Sequence, residues 1–149
     1  MTLSDGALHL TEPGDGAGLA ALHRQSFDAP WDEAAFETLL GQQGVVGIRH
    51  ADGFILFRVI LDEAEILTLA VKPMARRSGL GLRLVEAAAT FAARIQALRL
   101  FLEVAEDNAA ARALYAKAGF GIEGRRKAYY ARSGAPAVDA LILSLNLAG

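Results

Sequence analysis

The sequence contains no cysteine, and this absence excludes several kinds of site at once. Without cysteine the chain has no disulfide, no thiolate zinc site and no cysteine nucleophile. Histidine is scarce as well: His9, His23 and His50 are scattered, and no two of them have the spacing of metal ligands. None of the three lies in the second half of the chain, which carries the glycine turn and the acid–base candidates described below. The sequence therefore predicts neither a metal centre nor histidine-based acid–base chemistry.

No charge of either sign dominates the composition. The 15 basic and 17 acidic residues give a formal net charge of −2, which argues against nucleic-acid binding driven by phosphate neutralisation. No apolar run is long enough to span a bilayer, and the first residues do not form a basic start followed by an apolar run. We therefore expect a cytoplasmic protein without membrane contact. Its 149 residues, 53% of them hydrophobic, predict a single domain over residues 1–149.

Hydrophobic periodicity predicts strands and helices along the whole chain. The predicted elements are, in order, a strand at 8–10, a helix at 15–27, a helix from 32, strands at 45–49, 53–61 and 63–71, a helix at 79–95, a strand at 98–104, a helix at 108–119, and two strands within 129–147. This order predicts an α/β domain whose mixed sheet of about six to seven strands is flanked by about four helices. Tight turns favour antiparallel pairing of the early strands, and the unit from 63 to 104 predicts a right-handed parallel crossover.

The stretch RRSGLG, at residues 76–81, places two glycines at the predicted start of a helix. A helix start presents unpaired N–H groups, and glycine lets the backbone approach an anion closely. A Walker A loop is excluded because Leu82 and Arg83 follow Gly81 in place of Lys-Ser/Thr, and a dinucleotide fingerprint is excluded because Leu84 stands where it needs a third glycine. Two interpretations remain: a pyrophosphate cradle of the form Arg-x-x-Gly-x-Gly, and a glycine-rich helix start on a basic surface.

Two side chains further along the chain are candidates for acid–base chemistry. Glu103 interrupts the apolar strand LRLFLEV, either because it lies at the solvated end of the strand or because it is held for catalysis. Tyr115 lies on the helix that Asn108 is predicted to cap, either as a core residue beside Leu114 or as a phenol that donates a proton. Tyrosine suits that role because its unperturbed pKa is about 10. The residue types alone leave both alternatives open.

Five segments of the chain together resemble the GNAT N-acetyltransferases, and among them the RimI-type ribosomal-protein alanine N-acetyltransferases. The segments are PWDEAAF (30–36), VILDEAEILTLAV (59–71), RRSGLG (76–81), LEVAEDNAAARALYAKAGF (102–120) and RRKAYY (125–130). The glycine turn matches the family's Gln/Arg-x-x-Gly-x-Gly/Ala loop, and the segment at 102–120 is the most specific of the five. The resemblance implies the GNAT fold, acetyl-CoA as co-substrate, and direct attack of an amine on the thioester without a protein nucleophile or a metal.

The resemblance also implies roles for particular residues. Glu103 would act as general base, through water, and Tyr115 as general acid toward the leaving thiolate. A strand would pair with the pantetheine arm and give an N–H group to the oxyanion, while the glycine turn would hold the pyrophosphate. The implied cofactor-binding residues are Leu69, Ala70, Val71, Arg76, Arg77, Ser78, Gly79, Leu80, Gly81, Leu82 and Asn108.

The acceptor implied by the resemblance is a protein N-terminus, the alanine N-terminus of a ribosomal protein. In RimI-type proteins the regions of Trp31, Tyr129 and Tyr130 border the peptide groove. Taken alone, Trp31 reads as a core anchor of the helix pair, and strand alternation predicts the two tyrosines on opposite faces. One departure is Thr68, which stands where RimI-type chains often have asparagine and which bears on acceptor specificity.

Two other functions fit the same residues. One is acetylation of a small amine, such as a polyamine or a drug, on the same fold. The other is a non-catalytic module that binds acyl-CoA. The presence of both Glu103 and Tyr115 argues for catalysis and against the binding module.

Overall fold

A computed structural model describes residues 6–148, so residues 1–5 and 149 of the predicted domain lie outside it. The elements are β1 (His9–Leu10), α1 (Gly16–Arg24), α2 (Glu33–Leu40), β2 (Val45–His50), β3 (Gly53–Ile60), β4 (Glu63–Val71), a 3₁₀ turn (Pro73–Ala75), α3 (Leu80–Arg94), β5 (Arg99–Ala105), α4 (Ala109–Lys117), β6 (Gly121–Arg132) and β7 (Ala135–Asn146). None of these helices is long and apolar enough to cross a membrane.

The seven strands form one sheet in the order β1-β2-β3-β4-β5-β7-β6. Strands β4 and β5 pair in parallel, and every other neighbouring pair is antiparallel. The mixed α/β sheet, its four flanking helices and the parallel crossover through α3 confirm the prediction.

Two predicted boundaries are wrong. The first helix ends at Arg24 and not at residue 27. Strand β6 begins at Gly121, well before Tyr129, although its first residues have no alternating apolar pattern. Pairing with β7 holds this part of β6, and ion pairs from Arg99 to Glu123 and from Arg125 to Asp139 reinforce it. Such tertiary contacts override the weak strand propensity of a Gly- and Arg-rich segment.

The core has one layer on each face of the sheet. Helix α3 packs on one face through Leu80, Leu84, Val85 and Ala88, which belong to a cluster that also contains Leu100, Leu102, Val104 and Tyr115. Helices α1 and α2 pack on the other face through Leu19, Ala20 and Phe36, against Phe54 and Leu56 of β3 and Ala70 of β4. Amphipathic helices on both faces are what a parallel crossover in a mixed sheet requires.

A bulge in β4 determines where the sheet opens. The register with β3 shifts between Leu56, which faces Thr68, and Phe57, which faces Ile66, so that Leu67 is the extra residue. Because one extra residue reverses the alternation, Ile66 packs in the α3 layer whereas Ala70 packs in the α1–α2 layer.

Strands β4 and β5 separate beyond this point. They pair only from Glu63 to Glu65, opposite Arg99 to Phe101. The opening between Ile66–Val71 and Leu102–Ala105 is called the β4–β5 cleft below. It lies at the carboxyl ends of the two parallel strands, where α/β folds bind their ligands.

The close approach of β3 to the cleft strand can be tested with Gly53→Ala. A Cβ added at Gly53 would lie 2.6 Å from the Ala70 carbonyl oxygen, a backbone atom that moves only with β4. We expect a loss of about 1–3 kcal/mol in the free energy of unfolding, measured by urea denaturation. The control is Gly18→Ala in α1, where a Cβ meets nothing within 4 Å. This change should stabilise the fold by about 0.5–1 kcal/mol. Equal midpoints for the two variants would contradict the close packing at Gly53.

Candidate functional site

The backbone of β4 offers unpaired N–H groups to the β4–β5 cleft. Lys72 N–H donates to the Asp52 carbonyl at 2.8 Å, which makes these two residues a hydrogen-bonded pair of the β3–β4 ladder. Alternation along the ladder then directs the backbone groups of Ala70 toward β3 and those of Leu69 and Val71 into the cleft. Of the predicted segment 69–71, the two outer residues direct their backbone groups into the cleft, and Ala70 contributes a buried side chain.

The start of α3 is the one α-helix start in residues 6–148 at which no side chain binds an amide of the first turn. Glu37 accepts from the first N–H of α1 at 2.6 Å, Asp32 caps α2 at 2.8 Å, and Asn108 caps α4 at 3.1 Å. At α3 the first intrahelical bond runs from Arg83 N–H to the Gly79 carbonyl, and no side chain caps the amides before it. Unsatisfied N–H groups and the positive end of the helix dipole make this an anion-binding position.

The two glycines of RRSGLG serve different purposes. Gly79 adopts a left-handed conformation, with φ of 86°, in open space. Gly81 lies inside the first turn, where an added Cβ would be 3.3 Å from Leu114 of α4 and 3.9 Å from Val71 of β4. Gly79 therefore permits the turn, whereas Gly81 lets α3, α4 and the end of β4 meet.

The polar residues of the turn point to different surroundings. Arg76 donates through Nε to the Val71 carbonyl at 3.2 Å and through its terminal nitrogen to Ser26 Oγ at 3.3 Å. Ser78 donates to the Ala75 carbonyl. Arg77 is exposed and has no hydrogen bond or ion pair within the described chain. Arg77 is thus the cation of the turn that is available to an anion, and Arg76 ties the turn to the end of α1.

Glu103 lies on β5 in the cleft and forms an ion pair. Its carboxylate is 3.0 Å from the Arg126 guanidinium, and its side chain is 22% exposed. Because Leu102 and Val104 point into the α3 layer, alternation directs Glu103 to the opposite face. Arg126 also lies over the Tyr129 ring at 5.3 Å. The carboxylate is thus partly solvated, as at the solvated end of a strand, and is also held in place by Arg126 of β6. It therefore has features of both alternatives predicted from the sequence.

Tyr115 belongs to the other face of the sheet. It is 4% exposed and packs edge-on against Phe120, with ring centroids 5.3 Å apart. No hydrogen bond within residues 6–148 involves its hydroxyl, yet no described polar atom is both fully buried and unpaired, so the hydroxyl reaches solvent. Burial raises the pKa of the phenol above its usual range. Tyr115 therefore keeps its proton at neutral pH and has a hydroxyl free to donate.

The three predicted acceptor-side aromatic residues lie in the α1–α2 loop and in β6. Trp31 is 36% exposed and stacks on His23 with ring centroids 5.1 Å apart, so it is both an anchor and a surface residue. Tyr129 and Tyr130 do not lie on opposite faces as alternation predicts. Their rings contact each other at 5.1 Å because the register of β6 shifts between Arg126 and Tyr130. Burial and then the charge of Glu103 raise the pKa of Tyr130, which places this ring near the carboxylate.

Sequence reasoning missed two contacts and one bulge around the cleft. Arg126 pairs with Glu103 across the sheet, and His23 contacts Thr68 across 45 residues of chain. The periodicity of α1 contained a signal for His23, since it lies four residues after Leu19 on the buried face. No local pattern marks the bulge at Leu67 that buries Thr68.

Comparison with known proteins shows what the chain is similar to. Residues 17–120 match the model of the Acetyltransferase (GNAT) family. An uncharacterized protein of Mycobacterium leprae is 35% identical over 144 residues, covering 84% of this chain and 37% of that protein, so the chain spans about a third of that relative's length. The [ribosomal protein bS18]-alanine N-acetyltransferase of Escherichia coli K12 is 34% identical over 122 residues, covering 79% of this chain and 82% of the relative.

A solved structure has the same fold over nearly the whole chain. The crystal structure of the ribosomal-protein-S18-alanine N-acetyltransferase from Escherichia coli superposes with a TM-score of 0.84 and 28% identity, over 95% of each chain.

The isolation of the Tyr115 hydroxyl can be tested by removing it. Because the hydroxyl has no partner in the described chain, Tyr115→Phe should change the free energy of unfolding by less than about 1 kcal/mol. Tyr115→Ala, which also removes the ring from the core, should cost about 3–5 kcal/mol. Urea denaturation measures both values. A large loss in Tyr115→Phe would show that the hydroxyl has a structural partner.

Proposed function

The chain belongs to the GNAT acetyltransferase family, and we propose that it acetylates the N-terminal α-amine of a protein, the alanine N-terminus of a ribosomal protein. It is an acetyl-CoA-dependent N-acetyltransferase. The Escherichia coli relative is named for action on the alanine of ribosomal protein bS18, and the proposal extends that acceptor to this chain.

The observation that carries the proposal is the arrangement around the β4–β5 cleft. Unpaired N–H groups of Leu69 and Val71 line one arm, Glu103 lies on the other arm, and Tyr115 packs on the face opposite Glu103. A base and an acid on opposite faces of one opening suit a transfer in which the acceptor enters from one side and the leaving group departs on the other.

The residues for acetyl-CoA follow from the same geometry. The uncapped amides of Gly79–Leu82, with Arg77 beside them, suit a pyrophosphate. The Leu69 and Val71 amides suit the carbonyl groups of an extended arm, as an added strand would pair. The Oδ1 atom of Asn108 caps α4, and its amide N–H groups have no partner in residues 6–148, so they remain for the cofactor. These parts fit acetyl-CoA, which supplies the acetyl thioester.

The chain's own residues then divide the proton transfers. Glu103 accepts the proton of the acceptor ammonium, which displaces the half-exposed Arg126 from the carboxylate. An amide of the cleft strand donates to the oxygen that gains negative charge. The neutral amine forms a bond to the thioester carbonyl carbon, and as the C–S bond breaks, Tyr115, whose pKa burial raises, gives its proton to the departing sulfur. The second proton of the nitrogen leaves to solvent, from which Tyr115 is reprotonated.

The basicity of the acceptor favours an α-amine. An α-amino group has a pKa of about 7.7–8.0 and a lysine about 10.4, so deprotonating lysine at neutral pH costs about 3 kcal/mol more. A single carboxylate such as Glu103 is therefore matched to a peptide N-terminus.

The proposed chemistry predicts a specific kinetic result. Glu103→Gln and Tyr115→Phe should each lower kcat by about 10²–10⁴-fold, because each removes one proton transfer. Acetyl-CoA should still bind with an unchanged Kd, measured by calorimetry, because the groups proposed to hold it are backbone amides, Arg77 and Asn108, which both substitutions leave in place. Wild-type kcat in both variants would exclude these roles.

The acceptor class is tested with labelled acetyl-CoA and matched substrates. One peptide begins with a free alanine, a second is blocked at its N-terminus and carries one lysine, and the third acceptor is a polyamine. We expect transfer to the first peptide with the highest kcat/KM. Preferential transfer to the polyamine would replace our proposal with small-amine acetylation, and binding without transfer to any acceptor would support a non-catalytic module.

The role of the α3 turn is tested with Gly79→Ala. A side chain in the left-handed conformation costs about 1–2 kcal/mol and moves the uncapped amides, so Kd for acetyl-CoA should rise about tenfold. Gly14→Ala is the control because Gly14 is also left-handed, with φ of 99°, and is also in open space, but precedes α1. Equal Kd values for the two variants would argue against pyrophosphate binding at α3.

A further inference from the structure

His23 is a buried ionisable side chain that the chemistry above does not use. It is 2% exposed, at the end of α1. Its ring stacks on Phe27 at 4.0 Å and on Trp31 at 5.1 Å, and the rings of Phe36 and Phe54 approach it at 5.3 Å and 6.4 Å. A histidine enclosed by aromatic rings is held in one position, so its nitrogens have fixed partners.

Both ring nitrogens of His23 are hydrogen-bonded. The backbone N–H of Trp31 donates to Nδ1 at 3.0 Å, and Nε2 is 3.3 Å from the Thr68 hydroxyl oxygen. Because Nδ1 accepts, the neutral ring carries its proton on Nε2, which donates to Thr68. One imidazole thereby connects α1, the α1–α2 loop and β4.

This connection joins the α1–α2 loop to the cleft strand β4, and the proposed path of the acceptor runs between these two segments. Thr68 lies directly after the bulge at Leu67 and directly before Leu69, whose backbone faces the cleft. Trp31 is the partly exposed aromatic residue of the α1–α2 loop. We expect a change at His23 to alter the distance between this loop and the cleft strand. The α3 turn is tied to the end of α1 by Arg76, which donates to Ser26 Oγ, and not by His23.

We propose that His23 is a positioning residue for the acceptor: it holds the α1–α2 loop, through Trp31, against Thr68 and so sets the KM of the acceptor amine. This rests on the proposed acceptor site. We expect acetyl-CoA binding to be independent of His23, because the hydrogen-bond partners of its imidazole are Trp31 and Thr68 and not the uncapped amides of α3 or the cleft-facing amides of β4.

The connection exists only while the imidazole is neutral. In imidazolium both nitrogens are donors, so Nδ1 no longer accepts from the backbone N–H of Trp31.

The groups that face the His23 ring from α1, the loop, α2, β3 and β4 are Phe27, Trp31, Phe36, Phe54 and Thr68. None of these is charged, and desolvation lowers the pKa of His23 below 6.5. The unfolded chain therefore takes up this proton first, so the contribution of His23 to stability is complete above pH 6.5. It is lost as the pH falls through the lower value of the folded protein.

The test separates the hydrogen bonds from the packing. His23→Phe keeps an aromatic ring and loses both hydrogen bonds. His23→Asn keeps an acceptor for the backbone N–H of Trp31, and Thr68→Val removes the hydroxyl that is the partner of Nε2. We expect His23→Phe to raise the KM of the alanine-terminated peptide about tenfold. Kd for acetyl-CoA should stay unchanged, and His23→Asn should recover most of the KM.

A second readout does not depend on activity. Trp31 is the only tryptophan of the chain, so its fluorescence reports on the loop alone. Below pH 6.5 the wild-type emission should weaken and move to longer wavelength as the ring charges and the loop leaves β4. His23→Asn, which carries no titrating group at this position, should not show this transition.

The outcomes distinguish this proposal from the proposed function. An unchanged acceptor KM in His23→Phe would overturn it, as would a Kd for acetyl-CoA that rises as much as the KM. If His23→Phe does not fold, His23→Asn and Thr68→Val decide with the same measurements. If the wild type acetylates no α-amine, the proposed function fails. The Trp31 emission then still tests whether His23 holds the loop, because the absence of a pH transition in the wild type would overturn that link.

Discussion

The site depends on the separation of two neighbouring strands. Strands β4 and β5 pair through only three residues each, and the bulge at Leu67 then turns β4 out of the parallel register. In a regular sheet the amides of Leu69 and Val71 would be satisfied by β5. Because the strands part, these amides face a cleft, and β3 and the layers on both faces hold the strand in place. An opening with unpaired backbone groups persists only where such packing supports it.

The α-helix starts of the described chain also separate into those bound by side chains and the one that is free to bind a ligand. Helices α1, α2 and α4 each have one amide of the first turn bound by a side chain, that of Glu37, Asp32 and Asn108 respectively. The start of α3 has a left-handed glycine and no side-chain cap. In the same turn Gly81 brings Leu114 against Val71. One short turn therefore leaves its own amides free and sets the distance between the helix of Tyr115 and the cleft strand.

The sequence predicted the parts of this protein that depend on local pattern. The elements and the parallel crossover follow from periodicity, and the glycine turn with the segment at 102–120 follows from contiguous motifs. The bulge was not predictable because EILTLAV reads as one uninterrupted strand, and only the packing against β3 shows that Ile66 and Ala70 point to opposite faces. The start of β6 was missed for a similar reason, since residues 121–127 are held by β7 and by ion pairs. Tyr129 and Tyr130 were misplaced because alternation fails where β6 shifts register.

The acceptor side is built differently from the cofactor side, and this difference has a functional consequence. The amides proposed for acetyl-CoA come from two short segments, 69–71 and 79–82, whose positions the backbone itself fixes. The proposed acceptor wall combines the loop at Trp31, the buried pair of His23 and Thr68, and the irregular segment of β6 from Arg126 to Tyr130. The contact between His23 and Thr68 spans 45 residues of chain, and none of these side chains belongs to the start of α3. Substitutions in the wall can therefore change which amine is accepted while the proposed transfer machinery stays intact. The family motifs identify the reaction, and in our proposal the long-range contacts around His23 and Glu103 set the choice of acceptor.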